Sequence, residues 1–207
     1  MIETTLVNRC AKADFEKILK AKGYAYFTKG AYNINIIGVR HKGTRVTNTF
    51  DDCIVIIYKT EKGDIVKKVF VATTVPGKTA MNSPSNVKGT AILKEGQYRG
   101  AYIIRLHRGK YKALCQNKPL PVYRDNNKDN TYDFNPLTID NGVFGINIHK
   151  AGANQGMYIN EWSYGCQVFK NVADFNTFMT VVNKSAKLFG NKFTYTLINE
   201  DDLKYGK

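Results

Sequence analysis

Two side chains in the C-terminal half have the types and the separation that covalent acyl chemistry needs. His149 ends the segment Gly145-Ile146-Asn147-Ile148-His149, and Cys166 follows 17 positions later in Trp162-Ser163-Tyr164-Gly165-Cys166-Gln167. A cysteine attacks a carbonyl only as the thiolate. A neighbouring imidazole favours that form by ion pairing and later returns the proton to the leaving group. Gly165 beside the nucleophile allows a substrate backbone to come close and is expected to free adjacent N–H groups for a developing oxyanion. Ser163 has the reach to hydrogen-bond locally or to orient the imidazole. Buried cysteines and strand-end histidines are as commonly structural, so the pair gains meaning only if two strands bring it together.

Around this pair stand secondary candidates. His107 lies in a basic, aromatic segment with Tyr98, Tyr102, Arg105 and Tyr111. It could steer a substrate carboxylate or share acid–base work, against the plainer reading of a surface histidine among lysines. Trp162 is expected either to wall a substrate cleft or to fill core, and Tyr164 and Gln167 complete the substrate-binding candidates. Asp125 is a candidate to orient His149, although nothing in the sequence places the two together.

His107 and His149 with Cys115 or Cys166 would form a set that zinc accepts, but there is no HExxH and no short His/Cys pair. The run Arg124-Asp125-Asn126-Asn127-Lys128-Asp129-Asn130 lacks the central Gly and terminal Glu of a calcium loop. Neither a metal nor a cofactor is expected. Cys10, Cys53, Cys115 and Cys166 form no CxxC pair and read as free thiols, Cys53 as packing within a strand.

The elements that must position these groups are mostly strands. Apolar, β-branched runs at 33–39, 53–58, 65–72, 102–106, 143–149, 164–169 and 193–198 predict strands, with 59–64 as the turn of a hairpin. A short N-terminal helix is expected where Phe15, Ile18 and Leu19 recur at helical spacing between Asp14 and Gly23. A second helix, after the candidate nucleophile, opens at Asp174, carries Phe175, Phe178, Met179, Val182 and Ala186 on one face, and closes at Gly190. The loop at 151–162 delivers whatever the two flanking strand ends hold. With no repeat and no linker, 1–207 reads as one mostly-β domain with a basic β region at 1–120 and the motif region at 121–207.

Charge follows the same division. The chain has 207 residues and a net charge of +14. Residues 1–120 carry 22 Lys/Arg against 8 Asp/Glu, whereas 121–207 carry 9 against 9. Residues 99–118 hold six cations and no acid. Such a field favours polyanions (nucleic acid, an anionic membrane surface or a bacterial wall polymer) or serves simply as a solvated face. Composition excludes collagen-like, disordered and coiled-coil classes, and no apolar run reaches the length of a membrane span. The N-terminus lacks the basic head and apolar stretch of a signal peptide, so the expected location is the cytoplasm of the producing cell.

The segment at 143–169 resembles the L,D-transpeptidase catalytic domain family. Its signature is a His, about 14 to 17 intervening residues, and then Ser/Thr-His-Gly-Cys. Here His149 is followed by 13 intervening residues and then Ser163-Tyr164-Gly165-Cys166, and Gly145-Ile146-Asn147-Ile148-His149 is similar to the family's Gly-Ile-His strand. The resemblance implies a β-sandwich-like fold and attack on a peptide carbonyl of peptidoglycan stems. In that scheme Cys166 is the nucleophile, His149 the base, and Ser163 and Gly165 shape the site. The chain departs from the pattern at Tyr164, where the family has a second His, at Gln167-Val168, and in the shorter loop.

The wording around residues 96–125 also resembles uncharacterised proteins of tailed bacteriophages and their hosts. That resemblance implies a wall-directed protein released at lysis or carried in a virion beside other virion proteins. Transpeptidation, hydrolysis and a lapsed site stay open. So do a non-catalytic wall-binding virion protein and a nucleic-acid platform built from Lys, Arg and interleaved Tyr.

Overall fold

A computed structural model describes residues 2–152 and 156–206. Two helices come first, α1 (Ile2–Lys12) and α2 (Phe15–Ala21). Asp14 caps α2 by accepting the Lys17 N–H at 3.0 Å, and Phe15, Ile18 and Leu19 are buried as their spacing predicts. The single N-terminal helix of the sequence reading is therefore two. In α1, Leu6 and Cys10 are both buried, one turn apart.

Eight strands then form a closed barrel: β1 (Asn35–Arg40), β2 (Asp52–Lys59), β3 (Ile65–Thr73), β5 (Gly96–His107), β6 (Tyr111–Gln116), β9 (Ile148–Lys150), β10 (Gln167–Phe169) and β11 (Phe193–Asn199). Around the barrel the order is β1-β11-β5-β6-β9-β10-β3-β2. β4 (Thr90–Leu93), β7 (Leu120–Asp125) and β8 (Asp140–Gly142) make a separate three-stranded sheet in the order β4-β7-β8. The mostly-β class holds, and the main sheet is closed upon itself. A short α3 (Lys78–Asn82) and the long α4 (Val172–Phe189) complete the helices. Among the described residues, no helix is long and apolar enough to cross a membrane.

β1 is buried at every position because both of its faces are covered. Ile36 faces the main core, and Ile37 and Val39 face a second cluster with Leu6, Cys10, Phe15, Ile18, Cys53 and Val55. The helices α1 and α2 thus cover the outside of β1 and β2. The main core combines strand residues from both halves of the chain with Phe175, Phe178, Met179 and Val182 of α4, and with Leu93, Leu120 and Val122 of the small sheet. Asn171 caps α4 through the Ala173 N–H at 2.7 Å, three residues before the predicted start, and Gly190 ends the helix.

The two strands expected around the chemistry are shorter than predicted. Of 143–149 and 164–169, only Ile148–Lys150 and Gln167–Phe169 are strand. Gly145 at φ +74° and Gly165 at φ +117° break the extended backbone just before each. The groups of interest consequently sit where a turn enters a strand.

Candidate active site around Cys166

β9 and β10 are parallel neighbours, with Ile148 opposite Gln167 and His149 opposite Val168. Ile148 lies in the main core, and Gln167 is fully buried with its Oε1 accepting the Tyr195 hydroxyl at 2.8 Å. Side chains alternate along a strand, so Asn147 and His149 share the outer face with Cys166 and Val168. Cys166 and His149 are offset by two residues on adjacent strands, a Cα separation of about 8 Å by strand geometry. The fold therefore brings the two predicted residues onto neighbouring segments, the thiol bonded to Gly145 and Asn147 and the imidazole to Lys150 rather than to each other.

Asn147, which the sequence reading did not single out, organises this face. Its backbone N–H donates to the Cys166 Sγ at 3.4 Å, and its carbonyl accepts the Gln167 N–H at 2.8 Å. Its Oδ1 accepts the Gln116 N–H at 2.9 Å, which leaves the Nδ2 amide as donor to His107 Nδ1 at 3.2 Å. His107 Nδ1 must then accept, so the proton of the neutral His107 ring is on Nε2. The only advance signal for Asn147 was its position two residues before His149 on one strand face.

His149 is buried, and its Nδ1 lies 2.9 Å from the Lys150 carbonyl. A carbonyl only accepts, so Nδ1 carries the proton and Nε2 keeps its lone pair. The Tyr111 hydroxyl donates to the same carbonyl at 3.3 Å, holding it in place. The His107 ring stacks on His149 with centroids 4.2 Å apart and planes 20° apart, and Tyr111 packs against His107 at 5.6 Å. His107 is 7% exposed, so the surface reading is corrected. It pairs with Tyr111 across the β5–β6 hairpin and points at the site.

Cys166 is half-buried, and its thiol donates to the Gly145 carbonyl at 3.2 Å. Burial pushes the thiol up to about 11, against the Asn147 N–H and the positive charge of Arg108, which favour the thiolate. Burial also drives His149 down to about 3, with His107 and Arg108 acting in the same direction and the Lys150 carbonyl opposing. His107 is lowered by burial and by Arg108. At neutral pH the resting pair is thus a thiol beside a neutral imidazole. The ion pair expected from sequence is not the resting state.

The remaining candidates divide. Ser163 is fully buried; its hydroxyl donates to the Cys166 carbonyl at 2.8 Å and accepts the Gly165 N–H at 3.2 Å. It ties the turn that presents Cys166 and does not orient His149. The Gly165 N–H is engaged there and is not free for an oxyanion. Among the described residues, the Cys166 N–H itself carries no hydrogen bond. Gln167 is corrected from a substrate contact to an interior brace, its Nε2 donating to the Gly165 carbonyl at 3.2 Å. Trp162 packs beside Cys166, Val168, Ala151 and Ile159 on the outer face, and Tyr164 is exposed. Trp162 also closes over Gly152, where an added Cβ would lie 2.6 Å from the indole.

Asp125 is buried in β7, where its Oδ2 accepts the Asp133 N–H at 2.9 Å, so its role is to brace the 125–133 loop rather than to orient His149. Among the described residues no group of three or more His, Cys, Asp or Glu side chains is placed to hold a metal ion. Residues 153–155 of the connecting loop lie outside the described residues.

No family model, curated protein or solved structure matches this chain.

Two outcomes follow from this geometry. Gly165 has φ +117°, and an added Cβ would sit 2.4 Å from the Ala91 carbonyl oxygen. Gly165→Ala should therefore cost roughly 1–3 kcal/mol in urea unfolding. Arg108 lowers both imidazoles and the Cys166 thiol. Removing that charge makes the imidazoles easier to protonate and the thiol harder to ionise. Arg108→Gln should therefore raise all three, read by imidazole NMR titration and by the pH dependence of thiol alkylation.

Proposed function

We propose that this protein carries out cysteine-dependent acyl transfer on peptidoglycan stem peptides through a thioacyl intermediate on Cys166. The observation that supports it most is that Cys166 and His149 stand on neighbouring parallel segments and that the Nδ1–Lys150 bond leaves the His149 Nε2 lone pair available. The proton of the Cys166 thiol passes to His149 Nε2 as sulfur bonds the carbonyl carbon. The carbon–nitrogen bond then breaks, and the leaving amine takes that proton. Water or an acceptor amine next attacks the thioester and gives its proton to His149, and as the carbon–sulfur bond breaks the departing sulfur takes that proton back, restoring thiol and neutral imidazole. With the thiol up near 11 and the imidazole down near 3, transfer accompanies bond formation rather than preceding it.

The Cys166 N–H is the donor available to the oxyanion. Trp162 and Tyr164 flank the approach, and Arg105 and Arg108 of the β5–β6 hairpin give it a positive rim suited to a carboxylate-bearing peptide. The L,D-transpeptidase-type fold belongs to this proposal. It is supported by the His–Ser-x-Gly-Cys spacing and by a small second sheet that shares the main core. Release at lysis or carriage in a virion would bring such a protein to the wall.

Muropeptides of defined stem composition, incubated with wild type and separated by chromatography, test the function. The expected result is loss of a stem residue or formation of a cross-link. Unchanged muropeptides, with salt-sensitive binding to wall polymer or single-stranded nucleic acid that Cys166→Ala leaves intact, would favour a binding protein instead.

A further inference from the structure

β1 ends in Arg40, a side chain only 3% exposed that has no carboxylate oxygen within 4.0 Å among the described residues. Its Nε donates to Thr74 Oγ1 at 3.2 Å, and one terminal nitrogen donates to the carbonyls of Thr74 and Leu93 at 3.0 and 2.8 Å. The Phe134 ring lies 5.2 Å from the guanidinium. The other terminal nitrogen, Nη1, is buried and has no hydrogen-bond partner. Asp52, bridged to Arg40 through the Thr74 hydroxyl, and Glu95 offset its charge from beyond 4.0 Å, but a buried donor without an acceptor is costly and points to a missing one.

Arg40 lines a cavity of about 210 Å³ together with His41, Lys42, Arg45, Thr47 and Tyr132. That volume is several times the roughly 30 Å³ share of one liquid water. The two acids on its wall are already engaged. Asp52 accepts from the His41 N–H, the Thr74 N–H and the Thr74 hydroxyl at 2.6, 2.6 and 2.9 Å. Asp51 accepts from the hydroxyls of Thr47 and Thr49 at 2.7 and 3.4 Å. Lys42 Nζ reaches outward to Asp201 at 3.4 Å, whereas Arg45 has no side-chain partner among the described residues. The Arg45 backbone is fixed by a bridge to Thr131. The cavity wall therefore holds Arg40, whose Nη1 has no acceptor although Asp52 offsets its charge, an exposed Arg45 with no side-chain partner among the described residues, and carboxylates that already accept hydrogen bonds.

We propose that this cavity binds a small ligand through an oxyanion headgroup, carboxylate or phosphate, with Arg40 Nη1 as its buried donor and Arg45 closing over it. Planar guanidinium forks suit both headgroups. The site shares no residue with the Cys166 cluster and does not depend on how that cluster works.

The test is thermal unfolding and calorimetric titration of the whole chain with inorganic phosphate and, separately, with succinate, each against sodium chloride at matched ionic strength. The expected result is a saturable rise in Tm and a one-to-one isotherm with one of the two probes, which also identifies the headgroup. Arg45→Gln, an exposed change that should leave the fold intact, is expected to weaken binding about tenfold. Arg40→Met should abolish it, and Cys166→Ala should leave it unchanged. If neither probe does more than sodium chloride, or if Arg45→Gln binds as wild type does, the proposal is overturned.

Discussion

Under the proposed acyl transfer, turnover of a stem peptide by His149→Gln should fall about 10²–10⁴-fold, with KM little changed, because the proposed general base is removed while the cleft is kept. Glutamine offers an amide in place of the imidazole and cannot take the thiol proton. A second readout separates this role from a merely structural one. In wild type burial drives the His149 imidazole down to about 3 and pushes the Cys166 thiol up to about 11. The profile of kcat/KM should then be level between about pH 5 and 9. A preformed thiolate–imidazolium pair would instead give a bell with limbs inside that range.

Cys166→Ala should reduce turnover further, by about 10⁴–10⁶-fold, the scale seen when a nucleophile is removed from a covalent mechanism. The change is expected to leave the fold intact. The half-buried sulfur hydrogen-bonds with the Asn147 N–H and the Gly145 carbonyl and packs at the edge of the Phe50, Ala151, Ile159 and Val168 cluster, a contact that alanine keeps in part, and the turn around it is tied by Ser163 and Gln167. Far-UV circular dichroism and the Tm of this variant should match wild type within a few degrees. Chromatography of the muropeptide products gives the rate.

Several parts of this arrangement were legible in the residues. The β2–β3 hairpin follows from two β-branched runs around a polar turn, and α4 from phenylalanines at helical spacing. That the segments carrying His149 and Cys166 are neighbours was legible because a strand, a loop and a second strand are enough to bring them together. Gln167 could have been assigned correctly from alternation alone, since the residue after an outward cysteine on a strand points inward. Other parts depend on contacts distant in sequence. His107 sits among arginines and lysines, and only the closure of the barrel, which sets β6 beside β9 through Leu114 and Ile148, turns it onto His149. The orphaned donor of Arg40 is likewise invisible until β1, β3 and β4 converge at one end of the barrel. α1 was missed because its apolar stripe is short, Leu6 and Cys10 buried one turn apart with only Val7 packed partly beside them.

The most direct measurement of the central claim is intact-protein mass spectrometry after incubation with muropeptides and, separately, with a carbapenem, on wild type, Cys166→Ala and His149→Ala. A covalent adduct on wild type that is absent from Cys166→Ala and slowed in His149→Ala is the predicted result. Wall-peptide turnover that persists in Cys166→Ala, or an adduct formed without Cys166, would contradict it.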